Sequence, residues 1–395
     1  MTVPRSVRPF YRPMRPRRRD EPHRAATPLE LFFDLCFVVA VAQAASSLHH
    51  DVAEGHLGHA ATSYAMVFFA IWWSWVNFTW FASAYDTDDD VYRITTLVQI
   101  SGALILAAGV PRAFAGGDFA VITYGYVVMR LAAVVQWSRA AAGDPTHRLA
   151  ARRYAIGVTV VQLGWLLRLV LPAEWGIASF VLLGLADLLV PAVAERPGMT
   201  PWHPRHITER YGLFTLIVLG EAVLAISMAI QTGLDAGEHG LWSLAAAGAV
   251  IVFALWWLYF DRPIEAPSRL PYSLIWGYGH YLIFAAIAAI GAGLGVWVDV
   301  ERHRTDISGI TAGYAVATPI AVFLLTVWVL HVRRQQHGVV VVAFPVVALL
   351  ALLAPLGPTP VYVLAALLVA LVTLTVLVRR EAVLAQEENR RGTPQ

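Results

Sequence analysis

Two carboxylates, Glu30 and Asp34, stand four residues apart in the otherwise apolar stretch TPLELFFDLCFVVAVAQA. On a helix that spacing puts both on one face, where their like charges repel unless an arginine, a proton or a cation stands between them. The pair is therefore a candidate for ion or proton chemistry, with a plain capping role as the alternative for Glu30. Gln43 extends the polar line. In a later apolar stretch, HITERYGLFTLIVLGEAVLA, Glu209 and Arg210 stand near the mouth and Glu221 follows Glu209 by twelve residues, roughly 18 Å along a helix. Proton or cation coupling needs a carboxylate at such depth, while a structural partner for an arginine is the competing role.

Arg130 in MRLAAVVQW, Arg168 in WLLRLV and Asp187 in GLADLLV also interrupt apolar runs. An arginine in that setting holds a substrate anion or a carboxylate through directed donors, so an anion site and a closed ion-pair network are both open. His280 in GYGHYLIF is a candidate proton relay set against a packed histidine, and His206 stands at a helix end. Asp34, Arg130, Arg168 and Glu221 form the leading site, with Glu30, Asp187, Glu209 and His280 as secondary members.

Other chemistry fits less well. Asp86, Asp88, Asp89 and Asp90 in YDTDDDVYR lack EF-hand spacing, and His49, His50, His56 and His59 in HHDVAEGHLGH lie in one loop, so no metal is assigned. The single cysteine, Cys36, excludes an intrachain disulfide. There is no P-loop, dinucleotide fingerprint, G-x-S-x-G elbow or H-E-x-x-H element, so no cofactor and no catalytic residue is assigned.

The elements that must carry these residues follow from composition. Of 395 residues, 58% are hydrophobic and 14% charged, against about 25% charged in soluble domains. Apolar runs near twenty residues long have the length a bilayer imposes. Spans are expected near 28–48, 59–84, 94–111, 118–138, 153–171, 175–193, 208–230, 241–260, 272–298, 308–332, 338–355 and 360–379. The runs are continuous rather than alternating, which favours helices over a barrel. The fold class is an all-α polytopic membrane protein of about twelve transmembrane helices.

All 29 basic residues are arginines; twelve spans place 24 of them on the side of the N-terminus and three, Arg112, Arg302 and Arg304, on the other. The positive-inside rule then puts both termini in the cytoplasm. Residues 1–24, with eight arginines and five prolines, are expected to be a disordered basic cytoplasmic arm. Anionic lipid suits the arm better than nucleic acid, since topology already accounts for its charge. Bilayer lipids are the general partners, with a small solute and a proton or cation, and an oligomer remains open.

The chain also echoes itself. TPLELFFDL resembles HITERYGLF with Glu30 matching Glu209, FFAIWWSWVNFTWFASAYD resembles VFALWWLYFD, and ITYGYVV resembles ITAGYAV. The expected organisation is two similar six-helix halves, 25–200 and 201–380, in parallel orientation, with a polar cytoplasmic tail at 381–395.

The stretches TPLELFFDLCFVVAVAQAASSL, WWSWVNFTWFASAYDTDDDVYR, GYVVMR and HITERYGLFTLIVLGEAVLAI closely resemble the bacterial low temperature requirement protein A family over residues 25–380. The matching motif residues are Glu30, Phe33, Asp34, His206, Glu209, Arg210, Gly220 and Glu221. The resemblance implies a multi-pass bacterial inner-membrane protein associated by name with growth in the cold. With the repeat and the intramembrane charges, the leading functional reading is a proton- or cation-coupled secondary transporter. An ion channel or structural scaffold, and an intramembrane enzyme, are the alternatives.

Overall fold

The computed structural model describes residues 9–18, 21, 24–237, 239–261, 266, 267, 269–333 and 338–392. The rest of the arm at 1–24 and residues 393–395 of the tail lie outside the described residues. Among the described residues there are twelve α-helices: α1 (Pro28–Ala53), α2 (Leu57–Tyr85), α3 (Asp90–Gly116), α4 (Ala120–Gly143), α5 (Arg148–Arg168), α6 (Gly176–Ala194), α7 (Pro204–Ala236), α8 (His239–Phe260), α9 (Leu270–Glu301), α10 (Gly309–Val327), α11 (Val339–Leu353) and α12 (Pro360–Gly392). Each expected span falls on one of them. Eleven are long and apolar enough to cross a bilayer, and α5 differs because Arg148, Arg152, Arg153 and Arg168 dilute it. Side chains such as Val170, Leu182 and Ile156 stay exposed, as a lipid-facing surface requires.

Local chemistry sets the helix starts. Pro28 occupies the first turn of α1, where its missing N–H costs nothing. Thr27 and Glu30 form a reciprocal capping box: the Thr27 amide donates to Glu30 Oε2 at 2.7 Å and the Glu30 amide to Thr27 Oγ1 at 3.3 Å. Pro204 likewise opens α7, behind His203, whose Nδ1 accepts the His206 amide at 3.3 Å. Asp89 caps α3 by accepting the Tyr92 amide at 2.7 Å.

The chain divides into two compact units. The first comprises residues 1–47, 59–217 and 265–278, and the second 48–58, 218–264 and 279–395. These bounds differ from the 25–200 and 201–380 division expected from the echo, because the start of α7 and the first residues of α9 group with the first unit while residues 48–58, around the α1–α2 turn, group with the second. In the first unit α3 packs on α4, α4 on α5 and α5 on α6. The α3–α4 approach is backbone-close: a Cβ on Gly125 would lie 2.5 Å from both the Gly102 oxygen and the Leu106 nitrogen. Small residues permit such contact between membrane helices. In the second unit α10 packs on α11 and α8 on α12.

The described part of the arm departs from the expectation of disorder. The Arg17 amide donates to the Ala84 carbonyl at 2.9 Å, the Val91 amide to Phe10 O at 3.2 Å, and Met14 is fully buried. Met14 sits on Gly143, where a Cβ would come within 2.3 Å of the Met14 oxygen. Arginine density favours solvation, but a lone methionine and free backbone groups find partners at the helix ends.

Candidate functional site

The two acids of α1 meet the start of α7, whose Arg210 lies outside the site expected from sequence. Arg210 of α7 is fully buried and grips Asp34 with two donors, Nε to Oδ2 at 3.0 Å and Nη2 to Oδ1 at 2.5 Å. Its Nη1 lies 3.0 Å from Glu30 Oε1. The Trp75 indole donates to Asp34 Oδ1 at 2.7 Å, and His206 Nε2 lies 3.2 Å from Glu30 Oε1. Arg24 stands 3.9 Å from Glu30 and donates to the carbonyls of Ser83 and Ala82 at 2.7 and 2.6 Å. Two carboxylates and two guanidiniums thus balance in a buried cluster. A bidentate guanidinium also satisfies the geometry that makes a desolvated pair tolerable.

The cluster continues sideways through aromatic residues. Trp75 meets Tyr211 edge-on, ring centroids 4.9 Å apart, and the Tyr211 hydroxyl accepts the Trp80 indole at 3.0 Å. Trp80 lines a recess that is partly open to the outside. Trp73, Trp137, Tyr154, Trp202 and Tyr278 supply further aromatic wall, with Trp137 and Tyr154 stacked at 4.0 Å. Glu195 at the end of α6 adds a buried carboxylate, which accepts Tyr154 OH at 2.9 Å and the Thr200 amide at 2.6 Å. Sequence reasoning missed this recess entirely. Its walls come from α2, α4, α5, the α6–α7 connection and the start of α9, and only the density of tryptophan hinted at it.

Within the first unit, Asp34, Arg130 and Arg168 of the expected leading site hold different partners. Among the described residues, no hydrogen bond or ion pair joins Asp34, Arg130 and Arg168. Arg130 Nη2 instead donates to Asp187 Oδ1 at 3.0 Å, and Asp187 Oδ2 accepts Tyr126 OH at 2.7 Å and the Trp165 indole at 2.8 Å. Arg130 thus takes the acid that α6 presents. Arg168 donates to the Gly176 carbonyl at 3.0 Å and lies over the Phe119 and Phe180 rings, beside a smaller cavity. Glu221 belongs to the second unit and is half-buried. Glu209 is exposed and accepts the Ala26 amide at 3.2 Å. His280, also in the second unit, is buried against Tyr259 and Phe284 and faces a second histidine, His331, at 5.3 Å between rings. His331 lies in a π-helical turn after α10.

The loop acids have structural partners. Asp89 Oδ2 accepts the Arg139 guanidinium at 2.5 Å and the Arg12 amide at 2.7 Å, while Asp88 accepts Arg93 at 2.7 Å. Asp86 is nearly buried, and that burial, reinforced by the charge of Glu30, pushes its carboxyl up to about 6 against the pull of Arg24 and Arg17. His49 meets Asp299 at 2.7 Å, and His59 meets the Phe114 carbonyl at 2.6 Å.

The family model described as bacterial low temperature requirement A protein matches residues 25–378. A protein of Rhizobium meliloti (strain 1021), named as uncharacterized, is 31% identical over 242 residues, covering 58% of this chain. The match spans 57% of that relative's length. A family match from the capping box of α1 to the end of the last apolar run means that the chain belongs to the bacterial low temperature requirement A protein family.

Proposed function

We propose that this multi-pass membrane protein is a secondary transporter, driven by a proton or cation gradient, that takes a small solute at the aromatic recess of its first unit. The observation that carries the reading is the adjacency of recess and charge: Trp80 lines the recess, bonds to Tyr211, and Tyr211 packs on the Trp75 that holds Asp34. Occupying the recess presses on that aromatic bridge, and a change in the Glu30–Asp34–Arg210–His206 balance moves it from the other side. Recesses with aromatic walls and few polar groups suit small ligands. Uptake into proteoliposomes by the purified protein, over a panel of cationic, neutral and anionic solutes, tests the reading. Gradient-dependent uptake of at least one solute is expected. Equal uptake with and without proton and sodium gradients would contradict coupling.

The topology belongs to the same proposal. Twelve crossings, α5 included, place both termini in the cytoplasm and the protein in the inner membrane, with the arm's arginines on anionic lipid. The sequence echo supports an old duplication of six-helix halves. A scaffold is the second reading, favoured by the sealed Arg130–Asp187–Tyr126–Trp165 network, whose carboxylate oxygens are all taken by protein donors.

A further inference from the structure

We infer that the recess recognises a small organic cation of the alkylammonium class. This inference rests on the recess being the solute site and adds the chemistry of the solute. Six aromatic residues, Trp73, Trp80, Trp137, Tyr154, Trp202 and Tyr278, line it, and Glu195 is the only ionisable carboxylate among its described lining residues. No arginine or histidine is among those described lining residues. The arginines nearest in sequence type to an anion site are occupied elsewhere, Arg130 by Asp187 and Arg210 by Asp34. An anion entering the recess would meet a buried carboxylate and a wall of aromatic rings. A cation with an apolar shell finds the opposite: the rings attract its charge, and its alkyl groups fill apolar space.

The remaining polar groups sort ligands further. Asn77 and Ser273 line the recess, but Asn77 donates to the Trp73 carbonyl at 2.7 Å and Ser273 to the Leu270 carbonyl at 3.0 Å. Ser273 spends its hydroxyl donor and Asn77 one of its two N–H donors within their own helices, so few directed bonds are left for a sugar or other polyol. An alkylammonium ion, which carries charge and alkyl surface but needs few directed bonds, suits this lining.

The test is binding by the purified full chain in lipid nanodiscs, read by isothermal titration and by quenching of tryptophan fluorescence at constant ionic strength. The probes are choline chloride and its neutral carbon isostere, 3,3-dimethyl-1-butanol. Saturable choline binding is expected, with the isostere weaker by about tenfold or more, because the cation–π attraction requires the charge. Glu195→Gln, which keeps one of the two acceptor oxygens that Thr200 uses, is expected to weaken choline by a similar factor while leaving the isostere unchanged. Equal affinity for the two probes, or no saturable choline binding, overturns the inference, and neither comparison depends on the variant folding. Choline bound but never carried in proteoliposomes overturns the transport reading alone. Gradient-driven uptake of an anionic or neutral solute by a protein that does not bind choline overturns the cation inference alone.

Discussion

Arg210 holds two acids at once, so its removal leaves both Glu30 and Asp34 as buried carboxylates without their main counter-charge. Loss of one partner of a buried pair costs about 3–5 kcal/mol. Arg210→Gln is expected to lower the unfolding temperature in detergent sharply, and Asp34→Asn added to it is expected to recover part of the loss. Full additivity of the two single effects would show that the residues do not interact. Asp86 gives a pH-dependent counterpart. Its carboxyl is raised from 3.8 to about 6, so the folded state favours the protonated form. That contribution is present below about pH 4 and is lost as pH rises through about 6, a difference of roughly 3 kcal/mol. Asp86→Asn should therefore stabilise the protein at pH 7.5, by thermal unfolding, and the gain should shrink toward zero as pH falls from 6 to 4. A gain independent of pH would exclude the carboxylate as its cause.

At the scale of elements, the helices were legible because a bilayer demands long apolar runs, and the acids of α1 were legible because few charges interrupt those runs. Glu30 proved to be both the capping residue and a member of the charge cluster, two roles first weighed as alternatives. Their partner was harder to see. His206 and Arg210 stand four apart at the start of α7, as Glu30 and Asp34 do on α1, and matching the two faces would have paired them. The echo pointed instead to Glu209, one residue away and on another side of the helix. Tryptophan pairs misled in the same way: Trp72 and Trp73 of α2 are nearly fully buried, whereas Trp256 and Trp257 of α8 are exposed. Similar letters carried different burial because each helix has different neighbours. The α3–α4 contact gives a prediction of its own. Gly125→Ala must push against Gly102 and Leu106 backbone, so a loss of about 1–3 kcal/mol is expected by thermal unfolding, and an unchanged midpoint would contradict the close approach.

For the whole molecule, topology and transport are tested together. Cys36 is the only cysteine, so a Cys36→Ala background admits single reporters. Asp118→Cys, between α3 and α4, and Gly198→Cys, between α6 and α7, are both exposed positions. An impermeant maleimide on intact cells is expected to label the first and spare the second; labelling of the second would mean that α5 does not cross. The recess was illegible from sequence because its walls come from five separated stretches, and no single stretch carries its chemistry. Its role decides the account. The most direct measurement is gradient-driven solute uptake in proteoliposomes by the wild type and by Asn77→Trp, which fills the recess while the charge cluster is left alone. The account predicts uptake by the wild type and its loss in Asn77→Trp at an unchanged unfolding temperature. Undiminished uptake by the filled variant would contradict it.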